Sequence, residues 1–491
     1  MGVGDVAIDT TRAAGAPVDD GEHRRTRVTV WLIGVGAVIM LAGLLFGYDQ
    51  GVIGGALDGI QKDFHLTTSA EEVITSWVTL GALFGALVAG GAADRLGRRR
   101  TILAAAVLFS LGAVVEAAAP GTDVLVVGRL LVGFGVGVAS VAAPLYAAEM
   151  APTALRGRFV SLYQLAITIG IFLAYLVAEF LAAGDWWRLM LGLSAVPAVL
   201  LFLAMLPLPD SPTWYEKVGR HDDAVRALER VRPDEDAEAL VAQIDDSLRV
   251  HDASWGVVFS KLWRAPLVLG IGLAVLQQLT GINAVIYYAD KIFAAAGFST
   301  PQQQTAATTW AIGAVNVLAT FVAVAFVDRL GRRPLLLTGV VGMAVALGTI
   351  AVCFSRIPDV TSDSAAASNT PSDAGVVMVI AMVVFIASFA FSLGPIVWTV
   401  INEIFPSQVR GRAVAVSTAV NWGAAWLVTR YFLTLTDAIG TSATFWLFAV
   451  MCVVTYGFVW FKMPETKGRS LDEIQQMWQR QQATDGATAP R

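Results

Sequence analysis

The sequence predicts an all-α membrane protein of twelve transmembrane helices in two six-helix halves. Three observations carry this expectation: sparse charge, twelve long apolar runs, and loop motifs that recur in register. Of 491 residues, 56% are apolar and only 15% charged, and the mean hydropathy is +0.64. Soluble domains carry about 25% charged residues, and a soluble chain of this length has several domain surfaces to cover. The charge for that is missing, so the outer surface is expected to face lipid.

The elements follow in order. A tail, residues 1–27, holds Asp5, Asp9, Asp19, Asp20 and Glu22 before any apolar run. A signal peptide opens on a basic stretch and a short apolar core, so a disordered tail is expected instead. Crossing a bilayer takes about 20 mostly apolar residues. Such runs lie near 28–55, 73–92, 101–119, 124–147, 160–182 and 188–207, forming an N-terminal half over 28–208. A polar linker, 209–263, comes next, in which Asp222 stands four residues before Arg226, a helix-supporting spacing. Six further runs near 264–290, 304–327, 334–354, 376–402, 411–433 and 443–462 form a C-terminal half over 264–463. Residues 464–491 make a second tail, and the Ser/Ala/Asp-rich segment 362–374 reads as a flexible loop. Strands of a β-barrel would alternate with period two, which these runs do not.

Orientation is read from Lys and Arg in short loops. Arg95, Arg98, Arg99 and Arg100 follow the second run, and Arg156 and Arg158 the fourth. Their counterparts in the second half are Arg329, Arg332 and Arg333, then Arg410 and Arg412. Loops on the other side are sparse or acidic, with Asp58, Asp63, Glu71, Glu72, Asp359, Asp363 and Asp373. The basic side, both termini and the linker are therefore expected in the cytoplasm, on a multi-pass protein of the cell membrane.

The loops also record a duplication. Asp94-Arg-Leu-Gly-Arg-Arg99 matches Asp328-Arg-Leu-Gly-Arg-Arg333. Glu149-x-x-Pro152-x-x-x-Arg156-Gly-Arg158 matches Glu403-x-x-Pro406-x-x-x-Arg410-Gly-Arg412, and Pro209-Asp210 matches Pro464-Glu465. One basic cluster is the ordinary topological signal; three motifs repeating in order mark a duplicated six-helix unit. Internal repeats are the architecture of secondary transporters, with substrate held between the halves. Glu149 and Glu403, with Arg98, Arg99, Arg156, Arg332, Arg333 and Arg410, are expected to pair as a cytoplasmic gate when the halves close. A network of several such pairs can bias a two-state equilibrium even where one surface pair contributes little.

The remaining chemistry is excluded or narrowed. A net charge of −5 argues against a nucleic-acid partner. Cys353 and Cys452 lie in apolar runs and all four histidines outside them, so neither a disulfide framework nor a metal site is expected. Gly133-Phe-Gly135-Val-Gly137 lies inside an apolar run with no strand before it, which favours close helix packing over dinucleotide binding. No Gly-x4-Gly-Lys-Ser/Thr occurs, so ATP-driven pumping has no support. No catalytic constellation accompanies the apolar runs, so neither an enzyme nor a cofactor is expected.

With these motifs in place, the chain resembles the sugar porters of the major facilitator superfamily. The resemblance runs from Phe46-Gly-Tyr-Asp49 through Asp94–Arg100, Arg129, Pro209-Asp-Ser-Pro212, Gln277-Gln-Leu-Thr-Gly-Ile-Asn283 and Gly394-Pro-Ile-Val-Trp398 to Pro464-Glu-Thr-Lys-Gly468. It implies the major facilitator fold, alternating access and a monosaccharide-sized substrate, moved alone or with a proton. The chain departs from the family at Asp210, usually Glu, and at Thr213, usually Arg. It also adds Asp94, Asp210, Asp328 and Glu465 to the expected gate.

A sugar presents hydroxyls, which uncharged amides satisfy, and C–H faces, which aromatic rings cover. Polar groups within membrane runs are costly and so informative. At about 1.5 Å per residue, Asn316, Asn421 and Gln277 lie about 18, 16 and 20 Å from Asp328, Arg410 and Arg264, near the middle of a core about 30 Å thick. Gly281 lies between Gln278 and Asn283, where a helix break would gather the amides round one cavity. The resemblance implies sugar contacts at Gln164, Gln277, Gln278, Asn283, Asn316, Trp398 and Asn421, with Tyr287 and Trp422 beside them. Any one of these amides alone also fits a helix–helix contact.

Asp49 and Arg129 are the ionisable residues that stand out in the first six runs. Each lies near an outer run end, roughly 8–10 Å below the surface, so the two are expected to meet. Protonating Asp49 would release Arg129 and couple proton binding to movement. The resemblance implies that an acid here accompanies proton symport, whereas uniporters carry Asn. Glu116 and Glu179, nearer helix ends, are expected to be solvated. The expected function is import of a monosaccharide (glucose, xylose, galactose and inositol all fit) by proton symport. Uniport of a sugar or polyol is the alternative, and a sugar sensor is disfavoured by the short tails.

Overall fold

The computed structural model describes residues 29–152, 155–181, 184, 186–249, 255–260, 263–356, 373–405 and 407–465. The tail 1–27, most of the tail 464–491 and most of the loop 362–374 lie outside the described residues. Among the described residues, eleven helices are long and apolar enough to cross a membrane, and no strand occurs.

The first half comprises Val30–Phe64, Thr68–Leu96, Arg98–Ala117, Thr122–Met150, Arg156–Leu181 and a sixth span made of Trp187–Leu193 and Ala195–Met205. The second half begins with a broken seventh span, Arg264–Leu279 and Ile282–Tyr287, and an eighth running from Pro301 to Leu330. Arg332–Arg356, the broken pair Asp373–Phe391 and Leu393–Glu403, Ser407–Ile439 and Thr441–Lys462 complete it. The order matches the expected twelve spans, with Ser407–Ile439 in the eleventh place. The first helix outruns its expected end, near residue 55, and stops only at His65, whose backbone is left-handed (φ 49°). Asp49 therefore lies in mid-helix.

Close helix contact explains the glycines. A Cβ at Gly133 would stand 2.0 Å from the Val78 carbonyl oxygen, and one at Gly137 2.2 Å from that of Ala82. The second helix reciprocates, since a Cβ at Gly81 would stand 2.4 Å from the Leu130 carbonyl. Small residues of this kind let membrane helices approach backbone to backbone. The apolar side chains left exposed, such as Phe180, Leu318, Val345, Val453 and Phe461, lie on spanning helices. Such a surface suits lipid and not water.

Between the halves, Pro212–Lys217, His221–Val231 and Ala237–Arg249 form short helices. The expected Asp222–Arg226 support is corrected: Arg226 bonds Asp223, which also accepts from Arg220 at 2.6 Å. His221 bridges two of these helices, 3.1 Å from Glu216 and 3.2 Å from Glu238. Its hydrogen bond to Glu238 holds the imidazole pKa above its ordinary value.

Candidate functional site

Three local irregularities build the centre. Gly281 adopts φ +83° and ends the first part of the seventh span, a conformation that glycine reaches without strain. The tenth span breaks at Ser392, and the eighth carries a π-helical turn at Thr308–Ala314. Such breaks free backbone groups, and proteins place them where polar chemistry is needed.

The amides meet at these breaks. Gln277 Nε2 donates to the Leu393 carbonyl at 2.7 Å, and its Oε1 accepts from Asn421 at 2.8 Å. Asn421 also reaches the Ala274 carbonyl at 2.8 Å and accepts from Gln278 at 3.2 Å. Gln278 in turn accepts from Asn283 at 2.8 Å, and Asn283 accepts from Gln50 of the first helix at 3.2 Å. Gln50 lies 3.4 Å from the Tyr287 hydroxyl. The result is one string of amides crossing from the first half to the second.

Asn316 is buried just beyond the π-helical turn, and Trp422 is buried edge-on to Phe46 at 5.2 Å between ring centroids. Gln164 and Trp398 are half-buried on the fifth and tenth spans, outside the hydrogen-bonded string. Gln50 is the member that sequence reasoning missed, because a lone amide in an apolar run gives no sign of its partner.

Asp49 and Arg129 meet, with Oδ1 and Nη1 at 2.8 Å and side chains 3% and 0% exposed. The expected solvation of Glu116 is corrected. Its side chain is 1% exposed, and Oε1 stands 3.4 Å from the same Nη1. The cause is packing: the third and fourth helices close over Gly128, where a Cβ would lie 2.6 Å from Glu116 Cγ. Glu179 is half-buried, with one carboxylate oxygen shielded.

On the basic face the repeated motifs form two matching clusters, each within its own half. Arg98 pairs with Glu149 at 2.9 Å and Asp94 at 3.3 Å, and Arg332 pairs with Glu403 at 3.0 Å. Asp210 caps the third helix, accepting from the backbone of Arg98 at 2.8 Å and Arg99 at 3.3 Å. Glu465 does the same for Arg332 at 3.1 Å and Arg333 at 3.0 Å. Carboxylates suit helix N-termini. Arg99 and Arg333 reach the carbonyls of Leu206 and Trp460 at 2.6 and 2.8 Å. These pairs join residues within each half; the expected gate pairing belongs to a state closed on this face. The side chains of Arg156, Asp328 and Arg410 lie outside the described residues. Burial holds the Asp210 carboxyl above its ordinary pKa, against the backbone hydrogen bonds that lower it.

The halves are joined on the opposite, acidic face. Lys291 pairs with Glu71 at 2.7 Å, and Arg430 with Glu72 at 2.6 Å. Glu72, fully buried, also accepts from the backbone and hydroxyl of Thr434, both at 2.7 Å. The sequence places Glu71 and Glu72 in an acidic loop; Arg430, inside an apolar run, is the available signal of a partner.

A family model described as "Sugar (and other) transporter" matches residues 35–478. The galactose-proton symporter of Escherichia coli K12 is 40% identical over 438 residues, covering 89% of this chain and 92% of that protein. The arabinose-proton symporter of the same strain is 38% identical over 454 residues, covering 92% and 94%. The D-xylose transporter of Levilactobacillus brevis is 38% identical over 440 residues, covering 89% and 93%. Among solved structures, the major facilitator superfamily proton:xylose symporter XylE bound to 6-bromo-6-deoxy-D-glucose superposes with a TM-score of 0.77. It is 30% identical, with 91% of this chain and 99% of that one covered. XylE from E. coli in an inward open conformation gives a TM-score of 0.76 at 29% identity, covering 91% and 100%.

Proposed function

The chain belongs to the family of sugar (and other) transporters, and from that membership we propose that it imports a monosaccharide together with a proton by alternating access. The observation that carries this reading is the amide string from Gln50 to Gln277, which joins both halves. Gln164, Gln277, Gln278, Asn283, Tyr287, Asn316, Trp398, Asn421 and Trp422 bind the sugar, the amides exchanging hydrogen bonds with hydroxyls and the rings covering C–H faces. Gln50 is added to that set on its bond to Asn283.

Asp49 and Arg129 couple the proton. The basic-face residues Asp94, Arg98, Arg99, Glu149, Arg156 and Asp210, with Asp328, Arg332, Arg333, Glu403, Arg410 and Glu465, brace each half and form the gate. That face, the linker and both termini are cytoplasmic, following the positive-inside bias, and the membrane is the cell membrane. The protein moves its substrate without converting it.

The test is uptake of labelled galactose, arabinose and D-xylose into proteoliposomes, with and without an inward proton gradient. Gradient-driven accumulation of at least one sugar, abolished by a protonophore, is the expected outcome. Uptake of none would overturn the sugar reading. Equilibration indifferent to the gradient would replace symport by uniport.

A further inference from the structure

We propose that Glu116 is the charge-balancing residue of the proton site, holding Arg129 while Asp49 carries the proton; this rests on the symport reading above. One guanidinium nitrogen, Arg129 Nη1, faces two carboxylates, Asp49 Oδ1 at 2.8 Å and Glu116 Oε1 at 3.4 Å. All three side chains are at least 97% buried. Arg129 Nε is tied to the Ile74 carbonyl at 3.3 Å, which fixes the guanidinium between the two acids. Among the described residues, Arg129 Nη2 and Glu116 Oε2 are buried without a hydrogen-bond partner, so the group keeps one unused donor and one unused acceptor.

Charge counting gives these positions a purpose. Arginine stays charged in a protein, and a buried charge stripped of its partner is strongly destabilising. With Asp49 and Arg129 alone, each proton taken up would leave an uncompensated buried cation. Glu116 removes that penalty. A proton from the outer solution binds an Asp49 carboxylate oxygen, and the bond from Nη1 to Asp49 breaks. Nη1 then stays with Glu116, already within reach, and the loaded triad is neutral: protonated Asp49, Arg129 cation, Glu116 anion. Releasing the proton on the other side restores the Asp49–Arg129 pair.

The surrounding groups leave this count intact. Tyr287, from the seventh span, brings a phenol 3.4 Å from Gln50, the residue next to Asp49, and a phenol is uncharged at ordinary pH. From the sixth span, Arg188 reaches the Ala119 carbonyl at 3.3 Å, but its charge is matched by Asp63 at 2.7 Å. The neighbouring Thr75 and Ser76 of the second helix bring hydroxyls only.

The pH profile of proton-driven sugar uptake in proteoliposomes tests the idea, with wild type, Glu116→Gln and Glu116→Asp compared on whichever of galactose, arabinose and D-xylose is transported. Without the Glu116 charge, loading Asp49 leaves Arg129 uncompensated, so more acid is needed. The half-maximal pH of Glu116→Gln is expected to fall by about one unit or more, the scale of a single neighbouring charge. Glu116→Asp, which keeps the charge, is expected to stay close to wild type. A purely structural role for Glu116 would change rate or yield and leave the midpoint in place. A Glu116→Gln profile with the wild-type midpoint would overturn the proposal. If a variant does not transport, the pH dependence of sugar binding to the purified protein makes the same comparison with the same two outcomes. Loss of gradient dependence in the wild type itself would instead sink the symport reading.

Discussion

At the scale of single residues, the centre works because Gln277, Gln278, Asn283 and Asn421 each use both ends of the amide. Gln278 donates to Asn421 and to Gln277 Oε1, at 3.2 and 3.4 Å, while accepting from Asn283 at 2.8 Å. Buried polar networks are costly when partly satisfied, so this arrangement holds the amides oriented and lets a hydroxyl substitute for one of them at little loss. Gln278→Ala removes a shared partner and leaves its neighbours short of bonds, a penalty of about 1–3 kcal/mol. Apparent sugar affinity should fall at least tenfold, a drop that equals about 1.4 kcal/mol, with the turnover rate less affected. Titration of binding together with initial-rate uptake checks both numbers; an unchanged affinity would remove Gln278 from the site. That Gln277 and Asn421 lie deep between the membrane faces was legible from their place in apolar runs. The role of Gln50 was not, because it depends on the opposite half bringing Asn283 to it.

At the scale of elements, the positions of most helices follow from the apolar runs, and the break at Gly281 from its residue type. The break at Ser392 lies just before Gly394-Pro395, whose proline lacks the N–H a continuous helix would use, whereas the π-helical turn at Thr308–Ala314 left no such mark. Glu116 was misplaced for a related reason, since depth along a helix does not reveal which face a neighbour covers. The glycine run on the fourth helix is the clearest link between sequence and packing, and it makes a prediction. Gly137→Leu would force a side chain against the Ala82 carbonyl, where a Cβ alone would stand 2.2 Å away. Overpacking of this kind costs about 1–3 kcal/mol. The thermal unfolding midpoint of the purified protein in detergent is expected to fall. Gly457→Leu, at a position with no atom within 4 Å of the added Cβ, should leave it nearly unchanged. Equal effects at the two positions would show that close contact of the second and fourth helices contributes nothing special.

At the scale of the whole molecule, the duplication was readable from the loops, but the way the two halves meet was not. Pairing within a half is set inside one repeat unit and so appears as a motif. Pairing between halves joins residues with no sequence relation, and Glu72 and Arg430 stand far apart in the chain. The acidic-face pairs Glu71–Lys291 and Glu72–Arg430 join the halves there, while the basic-face pairs described above stay within them. This is the arrangement expected of a transporter closed on its acidic side. Removing one partner of a buried ion pair costs about 3–5 kcal/mol because the other charge is left exposed to a low-dielectric interior, and opening that face would hydrate it. Glu72→Gln should therefore shift the population toward the acidic-side-open state, since a few kcal/mol is enough to invert a two-state balance. Spin labels at Thr68→Cys and Ala295→Cys, both exposed positions on that face, in a background lacking Cys353 and Cys452, would report the distance between halves. A longer distance in Glu72→Gln, with partial return in the Glu72→Gln, Arg430→Gln double variant, is the expected result. A distribution identical to wild type would mean that the ion pairs decorate the closed face without holding it shut.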